Sequence, residues 1–129
     1  MKLELFSLSD YAQELQGKLV IVGTFDVIRT QKFPAFHPQC SIAIKIRYTD
    51  GDQLDNNFKI CIVGRDATKP LFNVEGGIHS ENPEKFETYS ANIVINVNGL
   101  NFEYEGTYKI LFYINNKLEG ELPLYLKKI

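Results

Sequence analysis

The 129-residue sequence has no tryptophan, only two cysteines, no basic excess and no long apolar run. A membrane-crossing helix needs about 20 mostly apolar residues, and no segment approaches that length, so no membrane-spanning helix is expected and a membrane is not an expected partner. Phosphate backbones are bound largely through Lys and Arg. A formal net charge of −2 gives no general pull of that kind, and nucleic acid is not an expected partner. The stretch Met1 to Tyr11 is interrupted by Glu4 and Asp10 and lacks the apolar core of a secretory leader. Cys40 is in phase with Ile42, Ile44 and Ile46, whereas Cys61 is out of phase with Phe58, Ile60 and Ile62. One thiol is therefore expected to point inward and the other outward, which does not suit a disulfide, and the expected compartment is the cytoplasm.

Catalytic and metal-binding signatures are scarce as well. There is no GxSxG elbow, phosphate-binding loop or dinucleotide fingerprint, and no CxxC or HxxxH pair that would suit zinc. Asp50, Asp52 and Asp55 resemble a calcium loop only superficially. The EF-hand pattern needs Gly and Glu where this chain has Asp55 and Cys61, and a solvated turn explains the carboxylates. A dyad of Cys40 and His37 would need a thiolate, but a core-facing thiol stays protonated. No catalytic residue, metal or cofactor is assigned, and a non-enzymatic role is expected.

What is abundant is alternation. With 44% hydrophobic and 23% charged residues the chain has the composition of a folded protein, and its length suits one domain spanning residues 1–129. Its apolar segments are short, step by two, and end at Gly, Pro, Asn or Asp, so strands are predicted throughout. Leu3 to Leu8 is the first, and Lys18 to Ile28, entered through Gln16-Gly17, is the second. In Ser41 to Thr49, Ile42, Ile44, Ile46 and Tyr48 share one face, and Asp50-Gly51 ends the strand. Phe58 to Val63, a weaker Pro70 to His79 and Ala91 to Val97 follow. A closing hairpin has Tyr108, Ile110, Phe112 and Ile114 as one inward row, a turn at Asn115-Asn116, and Leu122, Leu124 and Leu126 as the other. The architecture predicted is an all-β, antiparallel β-sandwich of seven to eight strands.

Around Tyr108, Gly106 and the aliphatic Ile110 resemble the start of the sixth strand of immunoglobulin-like domains. There a tyrosine hydroxyl bonds to upstream backbone. Tyr104 replaces the acidic residue often found there and Ile110 replaces a cysteine, so the resemblance implies an immunoglobulin-like sandwich with an aliphatic centre. A second resemblance covers most of the chain. Gly17-Lys18-Leu19 through Gly23-Thr24-Phe25-Asp26, then Phe33-Pro34-Ala35, His37-Pro38 and Gly106-Thr107-Tyr108, are similar to a family of small bacterial proteins of unknown function. That resemblance implies a fold and a bacterial setting, and no catalytic residue.

Three surfaces stand out. Leu19, Val20, Ile21 and Val22 are apolar on both faces, as expected where a loop or another subunit covers the second face. If Ser41 to Thr49 shares a sheet with the closing hairpin, Lys45, Arg47, Lys109, Leu111, Tyr113, Tyr125 and Lys127 crowd one outer face. Such a mixture suits an acidic protein partner or an anionic polymer. The segment Phe33 to Pro38 holds His37 between two prolines as a stiff loop. The expected role is an interaction or assembly module that binds a protein partner or itself, in the simplest case as a homodimer. The alternative is a small-ligand or carbohydrate-binding sandwich using the Phe33 to Pro38 loop. The absence of tryptophan weighs against sugar stacking, but nine Phe and seven Tyr supply other rings.

Overall fold

A computed structural model describes all residues, 1–129, as nine strands in two sheets with no helix. The strands are β1 (Lys2–Leu15), β2 (Lys18–Thr24), β3 (Val27–Thr30), β4 (Ala35–Thr49), β5 (Asp55–Val63), β6 (Phe72–His79), β7 (Thr88–Phe102), β8 (Gly106–Ile114) and β9 (Lys117–Lys128). One sheet has the order β2-β1-β4-β7 and the other β3-β9-β8-β5-β6. The all-β expectation holds, and the strands are arranged as a β-sandwich.

The ninth strand arises because the segment expected as one strand, Lys18 to Ile28, breaks at Phe25-Asp26. The chain leaves the first sheet there and β3 joins the second, pairing parallel to β9 with Val27 opposite Tyr125. The amide of Tyr125 donates to the carbonyl of Asp26 at 2.8 Å, seating the crossing strand. The sandwich is therefore not purely antiparallel. Asp50 to Leu54 likewise carries the chain from one sheet to the other, where a hairpin turn was expected.

The alternating rows meet between the sheets. Ile42, Ile44, Ile46 and Tyr48 of β4 are fully buried, facing Ile60 and Ile62 of β5, Tyr108, Ile110 and Phe112 of β8, and Leu124 and Leu126 of β9. Asn115 and Asn116 both adopt positive φ, 49° and 66°, the backbone that a two-residue hairpin turn demands. Gly120 sits at a close approach between the sheets. A Cβ there would lie 2.5 Å from Leu3 and 3.2 Å from Phe6, side chains of β1 that lean across from the opposite sheet.

The corner expected at Tyr108 is present. Its hydroxyl donates to the carbonyl of Tyr104 at 2.8 Å, and its ring packs edge-on against Phe102 with centroids 5.0 Å apart.

One arrangement has no counterpart in the strand pattern. β1 pairs with β4 only from Lys2 to Ser9, and beyond that it pairs only with β2. The far half of β1 and its partner β2 fold back over the outside of the first sheet. The side chain of Asn92 on β7 donates to the carbonyl of Gly17 at the hairpin tip, at 3.2 Å, although β4 separates β1 from β7 within the sheet. Beneath the hairpin, Ser41 and Ala43 point away from the core yet are fully buried, as is Ala12 above them.

Truncation of Ile44 to Ala is expected to cost about 2–5 kcal/mol, since a methyl-lined void opens where two sheets are in contact. Urea denaturation measures it, and a cost below about 1 kcal/mol would mean that Ile44 does not sit in a close-packed core. Tyr108→Phe removes the hydroxyl but keeps the ring, and a loss of about 1 kcal/mol is expected. An unchanged denaturation midpoint would mean that the corner hydrogen bond contributes nothing.

Candidate functional site

The surface with the most unexplained apolar area is the outside of the β1–β2 hairpin. Gln16 and Gly17 take positive φ values of 52° and 79°, closing a two-residue turn that sets Tyr11 opposite Val22, Gln13 opposite Val20 and Leu15 opposite Lys18. Because side chains alternate, Ala12, Leu19 and Ile21 occupy the face laid on the sheet, and the first is buried while the other two are half-buried. Tyr11, Leu15, Val20 and Val22 take the opposite face and are 43%, 53%, 38% and 53% exposed. β2 is also an edge strand, with one side of its backbone unpaired. Both proposed covers for the apolar run are thus separated. The sheet covers the Leu19 and Ile21 side, and no part of this chain covers the Val20 and Val22 side.

The mixed cationic and aromatic face expected from the strand rows does not form as one surface. Lys45 and Arg47 lie on β4 in the first sheet, whereas Lys109, Leu111, Tyr113, Tyr125 and Lys127 lie on β8 and β9 in the second. The premise that Ser41 to Thr49 shares a sheet with the closing hairpin is corrected, because β4 pairs with β1 and β7. The two groups face opposite sides of the molecule. Arg47 is held by Glu4 through two contacts of 3.1 and 2.9 Å. On the second sheet, Lys59 lies 4.7 Å over the ring of Tyr113, Lys109 approaches Glu121 at 3.9 Å and Lys127 approaches Glu105 at 3.8 Å. Local carboxylates therefore answer part of that charge.

His37 is corrected from a rigid loop to a strand position. Ala35 to Pro38 opens β4, with His37 opposite Leu100, and its ring lies 5.6 Å from that of Phe25. The Nε2 atom is buried without a hydrogen-bond partner, so the imidazole is packed rather than presented. Phe36, its neighbour, is 61% exposed. Cys40 is on the inward row of β4, and burial, with the Asp10 carboxylate adding to it, pushes its thiol up to about 11. At neutral pH it is protonated, so it lacks the thiolate that nucleophilic chemistry needs. Cys61 faces the outside of β5, where neighbouring side chains cover it, and both thiols are free.

The aspartates of the β4–β5 connection diverge. Asp52 accepts from the amide and hydroxyl of Thr49 at 2.8 and 3.2 Å. Asp55 instead meets His79 Nδ1 at 2.6 Å, while Glu81 meets Nε2 at 2.9 Å. This imidazole held between two carboxylates was missed in the sequence, where Asp55 and His79 are distant and only the β5–β6 register brings them opposite each other.

A family model described as "Family of unknown function (DUF6941)" matches residues 4–127. No curated protein matches the chain. Among solved structures, it resembles "Pseudomonas fluorescens alkylpurine DNA glycosylase AlkC bound to DNA containing an abasic site analog", with 10% identity and a TM-score of 0.48. That likeness covers 95% of this chain but 30% of the other, so the present chain spans under a third of that protein's length. No helix of this chain is long and apolar enough to cross a membrane.

Hydrogen bonds to Glu81 and Asp55, with the charge of both carboxylates, raise the pKa of His79 above its ordinary value. Only the imidazolium can donate from both ring nitrogens at once. A folded-state pKa raised above the unfolded value of about 6.5 means that the contribution to stability is fully present below that pH. It is lost as pH rises through the folded value. NMR titration is expected to give His79 a raised pKa that falls in both Asp55→Asn and Glu81→Gln. An unaltered titration in the two variants would rule out the clamp.

Proposed function

This chain belongs to the DUF6941 family of unknown function, and from that premise we propose a non-enzymatic interaction module that associates with a second copy of itself through the outer face of the β1–β2 hairpin. The observation that carries the reading is the cluster of Tyr11, Leu15, Val20 and Val22, contiguous in register and each more than a third exposed. Contiguous apolar surface of this kind marks association sites on soluble proteins. The middle of the face, Val20 opposite Gln13, bears no charge, and the one cation, Lys18 opposite Leu15, lies at the turn end, so the face offers little to select a strongly charged partner. An isologous pair sets the same patch against itself and needs no other surface.

Magnitudes place the association in a weak range. Burying the still exposed half of each side chain contributes about 1 kcal/mol, and four from each copy give about 8 kcal/mol in total. Lost translational and rotational freedom costs about 4–15 kcal/mol. The balance is close, so the pair depends on the whole patch and one charge within it is enough to abolish it. The immunoglobulin-like reading of the sandwich is supported by the Tyr108 corner and by β3 running parallel to β9 at the sheet edge. Two free thiols support a reducing, cytoplasmic setting.

Sedimentation equilibrium from micromolar to millimolar concentration is expected to reveal a reversible dimer, with Val22→Asp monomeric throughout and equally stable to urea. A wild-type protein that stays monomeric over that range, or a Val22→Asp variant that dimerises equally well, would rule out self-association through this face.

A further inference from the structure

A cavity of about 540 Å³ opens between the β5–β6 connection and the far end of β7. Its wall is Tyr104, stacked on Tyr108 at 5.0 Å with 16° between the rings and covered on its other face by the Arg65 guanidinium at 4.1 Å. Tyr104 is therefore a fixed wall whose ring faces are both occupied. The polar and charged residues of the lining include Asp66, Lys69, Asn101 and Glu103. Asp66 is fixed by Thr68, whose amide and hydroxyl both donate to Oδ1, and these bonds hold its carboxyl below the usual carboxylate range. Its second oxygen has no partner among the side chains and backbone of this chain.

Gly99 joins this cavity to an exposed aromatic ring. It lines the cavity, and the position of an added Cβ would lie 3.5 Å from the ring of Phe36. Phe36 pairs with Asn101 across β4 and β7, so ring and amide rise from the same face of the sheet. The φ of 82° at Gly99 suits a residue without a side chain, and the tip of the Phe36 ring packs against it at the rim of the cavity.

We propose that this is a carbohydrate-binding site, in which one sugar ring lies on Phe36 at the rim and the next places its hydroxyls among Asn101, Asp66, Glu103 and Lys69. The chemistry favours a neutral glycan over other ligands. Carboxylates accept, the ammonium donates and the amide does both, which matches hydroxyls that donate and accept. A phosphate would meet two carboxylates, and a wholly apolar ligand would leave the polar heads without partners. An exposed ring face beside convergent polar groups is the arrangement that takes the apolar face of a sugar.

The site is remote in sequence from the β1–β2 hairpin, so its test is independent of self-association. Purified protein is titrated with cellohexaose, maltohexaose, xylohexaose and chitohexaose at millimolar concentration, followed by amide NMR. At least one is expected to shift the signals of Gly99, Asn101 and Glu103. Phe36→Ala and Asn101→Ala are expected to weaken that sugar about tenfold while leaving the signals of β5 and β8 in place. No shift with any of the four, shifts confined to other surfaces, or unchanged affinity in both variants would overturn the proposal.

Discussion

Burial of β4 on both faces is the constraint around which the rest of this structure is arranged. Toward the second sheet it presents Ile42, Ile44, Ile46 and Tyr48, none with measurable exposure. Toward the outside, Ser41 and Ala43 are equally buried because the hairpin lies over them. Small side chains on that face are what allow the hairpin to approach, and the Ser41 hydroxyl is satisfied by Asn96 Oδ1 at 2.8 Å. A larger residue at position 43 would hold the hairpin off the sheet. The hairpin in turn must be apolar on its inner face to pack there, and its outer face carries the cost of exposure.

Local pattern made the strands legible but not their assembly. The inward rows of β4, β5, β7, β8 and β9 are read directly from alternation, and the turns at Gln16-Gly17 and Asn115-Asn116 from residues that tolerate positive φ. Alternation states which side chains share a face and is silent on which sheet owns the strand. Two sheets facing one core have equivalent inward rows, so alternation alone does not separate Lys45 and Arg47 on β4 from Lys109 and Tyr113 on β8. Hydrogen-bond pairing between distant segments separates them.

The break at Phe25-Asp26 was hidden for a related reason. The apolar residues continue through Val27 and Ile28, and only the parallel pairing of β3 with β9 marks the crossing. Flanking prolines point to a loop at His37, yet Pro38 lies within β4. Conversely, the doubly apolar run Leu19 to Val22 did announce a strand needing cover on two sides. The sheet supplies one cover. The other side is the basis of the proposed association, and the His79 clamp and the cavity beside Phe36 are features that only the three-dimensional register creates.

The proposed association sets a second copy on the hairpin's outer face while the inner face stays on β4. Amide hydrogen exchange at low and high protein concentration tests it most directly. Protection of Tyr11, Val20 and Val22 is expected to rise with concentration, while Ile42 and Ile44 stay highly protected at both. Equal protection of the hairpin amides at both concentrations, or a rise confined to β8 and β9, would contradict it.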